Sequence, residues 1–337
     1  MYKNNDLIYD ATERLATSTG ADIDVYSHRK EYDAVITING IQFIVLAKAE
    51  VKASNKGIIL SGIKAVKTNK PVIIIAKYIA KEVALELKER GVNYLDIAGN
   101  SYIKHKGVFI YVNGQKVERV SKTNQSRAFQ EAGIKLIFSL LADKQALQYS
   151  YRKLAEKTGV SIGSVSNVMN ELEELNYILK TSEKRVLKNT RDLLQRWIVA
   201  FHDVLKPRLL KKKMRFSNAD DYTNWRQLSL ETTEEINLWG GEPACAILTK
   251  QLSPLDFTIY TSGGWQIIAK KLKLIPDENG NVEIYSMFWK HDAINEGLYS
   301  HLIAPALIVY ADLVASGSDR NLEIAEKILE NELRHIK

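Results

Sequence analysis

Asp33 opens the stretch DAVITINGIQFIVLAKAEVKASN, and a carboxylate-x-lysine triplet, Glu50-Val51-Lys52, lies near its end. An aspartate on one strand, with an acid and a lysine on the next, can hold Mg²⁺ and orient a water for attack on a phosphodiester. Two registers fit. In one, Glu50 and Lys52 are the working pair beside Asp33. In the other, Leu46 stands where the acid belongs and only Lys48 survives. Residues 46, 48, 50 and 52 share parity, and so one face of a regular strand, which leaves the choice open. Strands usually run about 5–6 residues, so one opening at Ile41 or Phe43 nears its end by Glu50. Glu50 and Lys52 then fall at or beyond the rim of the sheet. Leu46 would cost the metal a charged oxygen. The expectation is an inert scaffold with no metal or other cofactor; the alternative is a Mg²⁺-dependent endonuclease.

A second chemistry is contact with phosphates and base edges. Residues 149–178 read YSYRKLAEKTGVSIGSVSNVMNELEELNYI. Leu154 and Ala155 face inward, Gly159 makes a turn, Val160 packs beneath it and Ser161 caps a second helix. Val165, Val168, Met169 and Leu172 form that helix's apolar face. Ser161, Ser164, Ser166, Asn167 and Asn170 lie opposite, small enough to approach bases closely. Arg152 and Lys153 sit on the first helix. YILKTSEKRVLKN then reads as strand, turn, strand, with Lys184 and Arg185 at the tip and Lys180 and Lys188 alongside, placed to neutralise phosphates. The spacing resembles the winged helix-turn-helix of bacterial regulators. Its implied ligand is double-stranded DNA, an operator. A further basic run, KPRLLKKKMRF, follows from Lys206; it is either a solvated face or an added phosphate contact.

These residues need a scaffold, and the apolar spacing supplies one. Asp6–Ala16 has helical spacing, and Asp22–Tyr26, Tyr32–Ile38 and Ile41–Lys48 alternate as strands. Asn39-Gly40 between two alternating runs predicts a hairpin. Ile58–Lys67 and Ala80–Arg90 read as helices, the latter ending at Gly91. Pro71–Ala76 reads as a buried strand, and Asn93–Asp96 and Val108–Val112 as two more. Ser121–Arg127 is polar and reads as a linker. Asn189–Leu210 and Asn321–His335 have helical spacing. The expected architecture is α/β and multidomain: residues 1–120, a winged helix-turn-helix at 121–190, and an α/β domain at 191–337.

The bulk numbers agree with a nucleic-acid partner. The chain has 337 residues and a formal net charge of +7, which favours an anionic partner where the charge clusters. One cysteine, Cys245, excludes an internal disulfide and fits a reducing cytoplasm. The N-terminus lacks a signal-peptide core, and the apolar runs are too short to span a bilayer. The expectation is a cytoplasmic protein with no membrane partner; a homo-oligomer is compatible. Histidines such as His28, His105, His202 and His291 show no metal-site spacing, and no Walker or dinucleotide loop is present.

The order of elements in the first domain resembles the restriction-endonuclease-like fold of PD-(D/E)xK type. That resemblance implies a helical acid joining the set, here Glu13. Four stretches together resemble AbiEi-type antitoxins of type IV toxin–antitoxin systems. They are GVNYLDIAGNSYI (Gly91–Ile103), LLQRWIVAFHDVLKPRL (Leu193–Leu209), WGGEPACAILTKQLSPLDFTIY (Trp239–Tyr260) and APALIVYADLVASGSDRNLEIAEKI (Ala304–Ile328). The likeness is to the branch with a nuclease-like domain before the winged helix. It implies a regulator that represses its own operon and opposes a nucleotidyltransferase toxin, with no stable complex required. Trp239-Gly240-Gly241 followed by Asp256-Phe257-Thr258 is also similar to a nucleotidyltransferase signature, but Thr258 stands where the second acid belongs. A degenerate nucleotidyltransferase-like shape without that activity is expected. Asp96 and Asn100 read as turn-fixing groups. Trp197, Trp225, Trp239 and Trp289 read as core anchors, and Asp312, Asp319, Arg320 and Glu323 as helix caps and ion pairs.

Overall fold

The computed structural model describes residues 4–29, 32–116, 126–290 and 302–336. The chain divides into two compact units, Met1–Thr123 and Asn124–Lys337. Residues 121–125 of the polar stretch read as a linker, and His291, lie outside the described residues.

The first unit is a seven-stranded mixed sheet with its strands in chain order. It runs α1 (Asn4–Thr19), β1 (Ile23–Arg29), β2 (Tyr32–Ile38), β3 (Ile41–Val51), α2 (Ala53–Ala65), β4 (Val72–Ile79), α3 (Lys81–Glu89), β5 (Asn93–Asp96), β6 (Ser101–His105) and β7 (Val108–Val112). β3, β4 and β5 pair in parallel; the outer neighbours are antiparallel. Asn39 and Gly40 both take positive φ, as the tight turn between β2 and β3 requires. β4 is central, and Ile73 to Ala76 are all buried, which is why that run is continuously apolar. α1 lays Leu7, Ile8, Ala11 and Leu15 on one face of the sheet. α2 and α3 cover the other with Ile59, Leu60, Val83 and Leu87.

Several boundaries differ from the sequence reading: α1 is longer at both ends, β1 runs on to Arg29 and β4 to Ile79. β3 continues to Val51 because β4 offers it partners as far as Ile79. α2 starts at Ala53 rather than Ile58, since the Asn55 side chain accepts the Lys52 amide and closes the first turn. Ser101–His105 is a strand of its own, paired with β7.

The second unit opens with α4 (Glu131–Ala142), α5 (Tyr151–Thr158) and α6 (Ile162–Glu174), then a hairpin of β8 (Ile178–Lys180) and β9 (Arg185–Leu187). α7 (Thr190–Ala200) runs on through a π-helical turn, Phe201–Leu205, and a last turn, Lys206–Leu209. A five-stranded sheet follows, built from β10 (Leu210–Phe216), β11 (Asn237–Gly240), β12 (Phe257–Thr261), β13 (Leu274–Pro276) and β14 (Val282–Ser286) in the order β11-β12-β14-β10-β13. Its helices are α8 (Gly241–Thr249), α9 (Trp265–Lys271), α10 (Ala306–Ala315) and α11 (Asp319–Asn331). The final helix thus begins before Asn321 and ends before His335.

One aromatic core joins the early helices of this unit to its sheet. The Phe138 ring of α4 stacks on Trp197 at 5.9 Å and meets Phe288 at 5.1 Å; Trp197 stacks on Phe201 at 5.2 Å. Trp197 Nε1 donates to the Ile134 carbonyl at 2.9 Å. Trp197, Trp225, Trp239 and Trp289 are all buried, as core anchors should be. Gly133 of α4 lets the backbone at Ala128 pass close by: a Cβ there would lie 2.2 Å from the Ala128 carbonyl oxygen. Backbone cannot yield as a side chain does, so Gly133→Ala should lower stability by about 1–3 kcal/mol in chemical denaturation.

Candidate functional site

The helices α5 and α6 form around short polar caps. Ser150 accepts the Lys153 amide, and Ser161 accepts the Ser164 amide at 3.2 Å. Gly159 between them is left-handed, φ 68, a geometry that favours glycine. Leu154, Thr158, Val160, Val165, Val168, Met169 and Leu172 are buried, while Ala155 is only half-buried. Ser161, Ile162, Gly163, Asn167 and Asn170 are exposed; Ser164 and Ser166 are half-buried. The first turn of α6 carries no acid. With the Ser164 amide taken by Ser161, the rest of that turn keeps the positive character of the helix dipole.

The flanking cations differ in how available they are. Arg152, Lys153 and Lys184 are exposed, with the Lys153 Nζ resting 3.8 Å from the Tyr149 ring centroid. Lys180 is exposed but pairs with Glu173 at 2.7 Å, and that hydrogen bond raises its pKa. Arg185 is half-buried and folded back onto its own unit. Its Nη2 donates to the Tyr149 carbonyl at 3.1 Å, and its backbone is clamped by the Gln148 amide, which donates to the Arg185 carbonyl and accepts the Arg185 amide. Of the two residues read at the hairpin tip, Lys184 alone is exposed. The basic run after Lys206 is largely spoken for: Lys212 pairs with Glu278, Lys213 with Glu283, Arg215 with Asp277 and Arg208 with Glu131.

In the first unit, Ala34 pairs with Val45, which sets Asp33 beside Leu46. The Asp33 Oδ2 accepts the Ala47 amide at 2.8 Å. Glu50 lies four residues further along β3, about 13 Å from Leu46 at the usual rise per residue. Two carboxylate side chains cannot close that distance onto one Mg²⁺, whose ligand bonds are only about 2.1 Å. Glu50 instead pairs with Lys52 at 2.9 Å. Glu13 sits exposed on α1, and Lys48 shares its strand with Leu46. The residues present do not fit a Mg²⁺ centre: the position next to Asp33 is apolar. Among the described residues no group of three or more His, Cys, Asp or Glu could hold a metal ion. Asp96 and Asn100 fix a turn, Asp96 Oδ1 accepting the Ala98 and Asn100 amides and Oδ2 the Asn100 side chain. Burial holds the Asp96 carboxyl above its usual range despite those bonds.

The second unit contains a cleft of about 360 Å³ whose lining includes Lys213, Glu242, Asp256, Thr258, Glu283 and Asn321. Two buried carboxylates build it. Asp312 of α10 pairs with Lys206 Nζ at 2.6 Å, accepts the Gly241 amide at 3.2 Å and accepts the Tyr260 hydroxyl at 3.1 Å. Glu242 accepts from Arg320 at 2.8 Å, from the Asn321 side chain at 2.7 Å and from the Leu255 amide at 2.7 Å. Asp312 and Arg320 thus act as ion-pair partners, as read, but with residues far away in sequence. The double glycine has a packing reason: a Cβ on Gly240 would lie 2.5 Å from the Tyr260 ring, and Gly241 has φ 47.

Lys213, Glu283 and Thr258 lie in one row across β10, β14 and β12. Burial raises Glu283, but hydrogen bonds from Tyr285 and Lys213 outweigh it and leave its pKa lowered. Asp256 is raised by burial and by the charges of Glu242 and Glu283. Thr258, two residues after Asp256 and paired across the strands with Glu283, stands where the signature needs its second acid.

Residues 185–334 match the model of a family described as transcriptional regulator, AbiEi antitoxin, type IV TA system. That family is one of transcriptional regulators, and over this span the chain is similar to the AbiEi antitoxins of type IV toxin–antitoxin systems. The matched span holds the whole cleft but not the Gly91–Ile103 stretch. No curated protein and no solved structure matches the chain. Among the described residues no helix is long and apolar enough to cross a membrane.

Removing one partner of a buried ion pair leaves an uncompensated charge, which typically costs about 3–5 kcal/mol. Asp312→Asn should therefore destabilise the second unit by that order in urea titration. His202 gives a pH test. Its Nε2 lies 3.0 Å from the Ala311 carbonyl. Burial, and then the Lys206 charge, hold its pKa well below the ordinary 6.5. The unfolded imidazole takes up a proton below about 6.5 and the folded one does not, so stability falls as pH drops through that value. In His202→Gln, the thermal midpoint should fall less between pH 7.5 and pH 5.5 than it does in the wild type.

Proposed function

We propose that this protein is a DNA-binding transcriptional regulator that acts as the antitoxin of a type IV system. In this reading it represses its own operon and opposes a nucleotidyltransferase toxin without needing a stable complex. The observation that carries it is the family match over residues 185–334. The block just before the match supports it: two capped helices, a glycine turn, and a second helix whose first turn is exposed and free of acids. We assign that block as a winged helix-turn-helix. Ser161 and Asn167 then lie nearest the bases, with Ser164 and Ser166 behind them. Arg152, Lys153 and Lys184 contact phosphates, Lys180 does so after leaving Glu173, and Arg185 braces the wing. The first unit is read as a restriction-endonuclease-like fold without the chemistry, because Leu46 stands beside Asp33 and Glu50 is out of reach.

Fluorescence anisotropy with DNA from upstream of the protein's own operon, against an unrelated duplex, tests the assignment. Lys184→Ala should weaken binding to both and reduce the salt slope by about one unit. Asn167→Ala should cost about tenfold on the operator and little on the unrelated duplex. Equal binding of both variants and wild type would remove the winged helix from the DNA interface. Nuclease assays with Mg²⁺ and Mn²⁺ should show no cleavage attributable to the first unit. Metal-dependent cleavage that is lost in Asp33→Ala would restore the endonuclease reading.

A further inference from the structure

The last hairpin of the first unit has a composition and an exposed face that the regulator reading does not use. From Ile97 to Val117 the sequence contains Lys104, Lys106 and Lys116 and no acid. β6 and β7 pair Tyr102 with Tyr111 and Lys104 with Phe109, so these four side chains share one face of the sheet. Phe109 is 65% exposed and Tyr111 38% exposed, while Tyr102 is buried beneath them. The rings are ordered: Tyr102 meets Phe109 and Tyr111 edge-on, each at 6.3 Å, and packs against Tyr94 at 6.4 Å. Lys88, from the last turn of α3, holds its Nζ 3.9 Å from the Tyr111 ring centroid. Lys104 and Lys106 are exposed. Of the acids on α3, Glu86 is already held by Lys56 and Arg90, while Glu82 and Glu89 are exposed.

Exposed aromatics grouped on one face, unlike apolar residues scattered singly, mark a surface that binds something. Charge decides what covers this one. A rigid pair of aromatics on a sheet, bordered by lysines and carried on a hairpin with no acid of its own, fits a partner with flat rings and regularly spaced anions. Bases stack on such rings whatever their identity, and lysines take the phosphates. Phe109 and Tyr111 are two residues apart on one strand, about 6.8 Å, room for one ring to serve each of two successive unpaired bases. A duplex keeps its bases stacked inside and offers none to the sheet.

We propose that the β6–β7 face is a binding site for single-stranded nucleic acid. Phe109 and Tyr111 stack bases, and Lys88, Lys104 and Lys106 neutralise the backbone. The site is separate from the winged helix and does not depend on its assignment.

The test uses the full chain and labelled oligo-dT and oligo-rU of roughly 12 nucleotides, within the usual range of site sizes, in anisotropy titrations beside a random-sequence duplex. The wild type should bind one or both single strands, the two arms separating DNA from RNA. Phe109→Ala should weaken that binding about fivefold or more, as expected for loss of one stacked base. Lys104→Ala/Lys106→Ala should weaken it and flatten its salt dependence. Neither variant should alter duplex binding, and both change exposed side chains, so circular dichroism should match the wild type. No single-strand binding by wild type at low salt, or equal binding by wild type and Phe109→Ala, overturns the proposal. So does sedimentation showing a wild-type dimer that Phe109→Ala dissociates while oligonucleotide binding is unchanged; the face would then join two copies.

Discussion

The buried pair of Lys206 and Asp312 organises the second unit. Asp312 gathers a cation from the end of α7, a hydroxyl from the middle of β12 and the first amide of α8. A carboxylate in that place is tolerable because both of its oxygens are paired. The Gly240-Gly241 corner follows from the same constraint: the chain must turn from β11 into α8 against the Tyr260 ring, and a side chain there would hold it away. Glu242, one residue on, repeats the device toward α11. Two acids thus tie four helices, α7, α8, α10 and α11, to one another and to β12.

Local chemistry was readable from the sequence, and distant pairing was not. Asn39-Gly40, the alternation on either side of it and the Ile73–Ala76 run follow from turn geometry and the strand period. Ser161 as a cap and Gly159 as a left-handed stop follow from backbone needs alone. The beginning of α2 was hidden because Asn55 caps from inside the helix. Ser101–His105 lacked a clean alternation, since Lys104 and His105 close it. Lys206 and Asp312 lie 106 positions apart, and no spacing rule connects them. Arg185 looked like a tip residue because a sequence cannot show a guanidinium folding back onto the Tyr149 carbonyl. Of the candidate nuclease residues, type and parity were legible but distance was not: the strand pairing that puts Leu46 beside Asp33 is a tertiary fact.

The two units differ in how they use charge. In the second, most cations of the basic run are paired with acids of the same unit, so a sequence excess of lysine does not become a surface of one sign. In the first, the β6–β7 hairpin has no acids of its own, and its lysines stay exposed beside aromatic rings. Net charge is a poor guide to a binding surface when pairing is this uneven.

The π-helical turn at Phe201–Leu205 accommodates a wider loop of backbone than an α-helical turn. His202 and Lys206 sit at its two ends and meet Ala311 and Asp312, neighbours on α10. A wide turn takes in one residue more than an α-helical turn and absorbs it locally, without handing a rotation on to the helix beyond. The extra residue therefore acts as a spacer: it changes how far apart His202 and Lys206 stand along α10 while the chain keeps its course into β10.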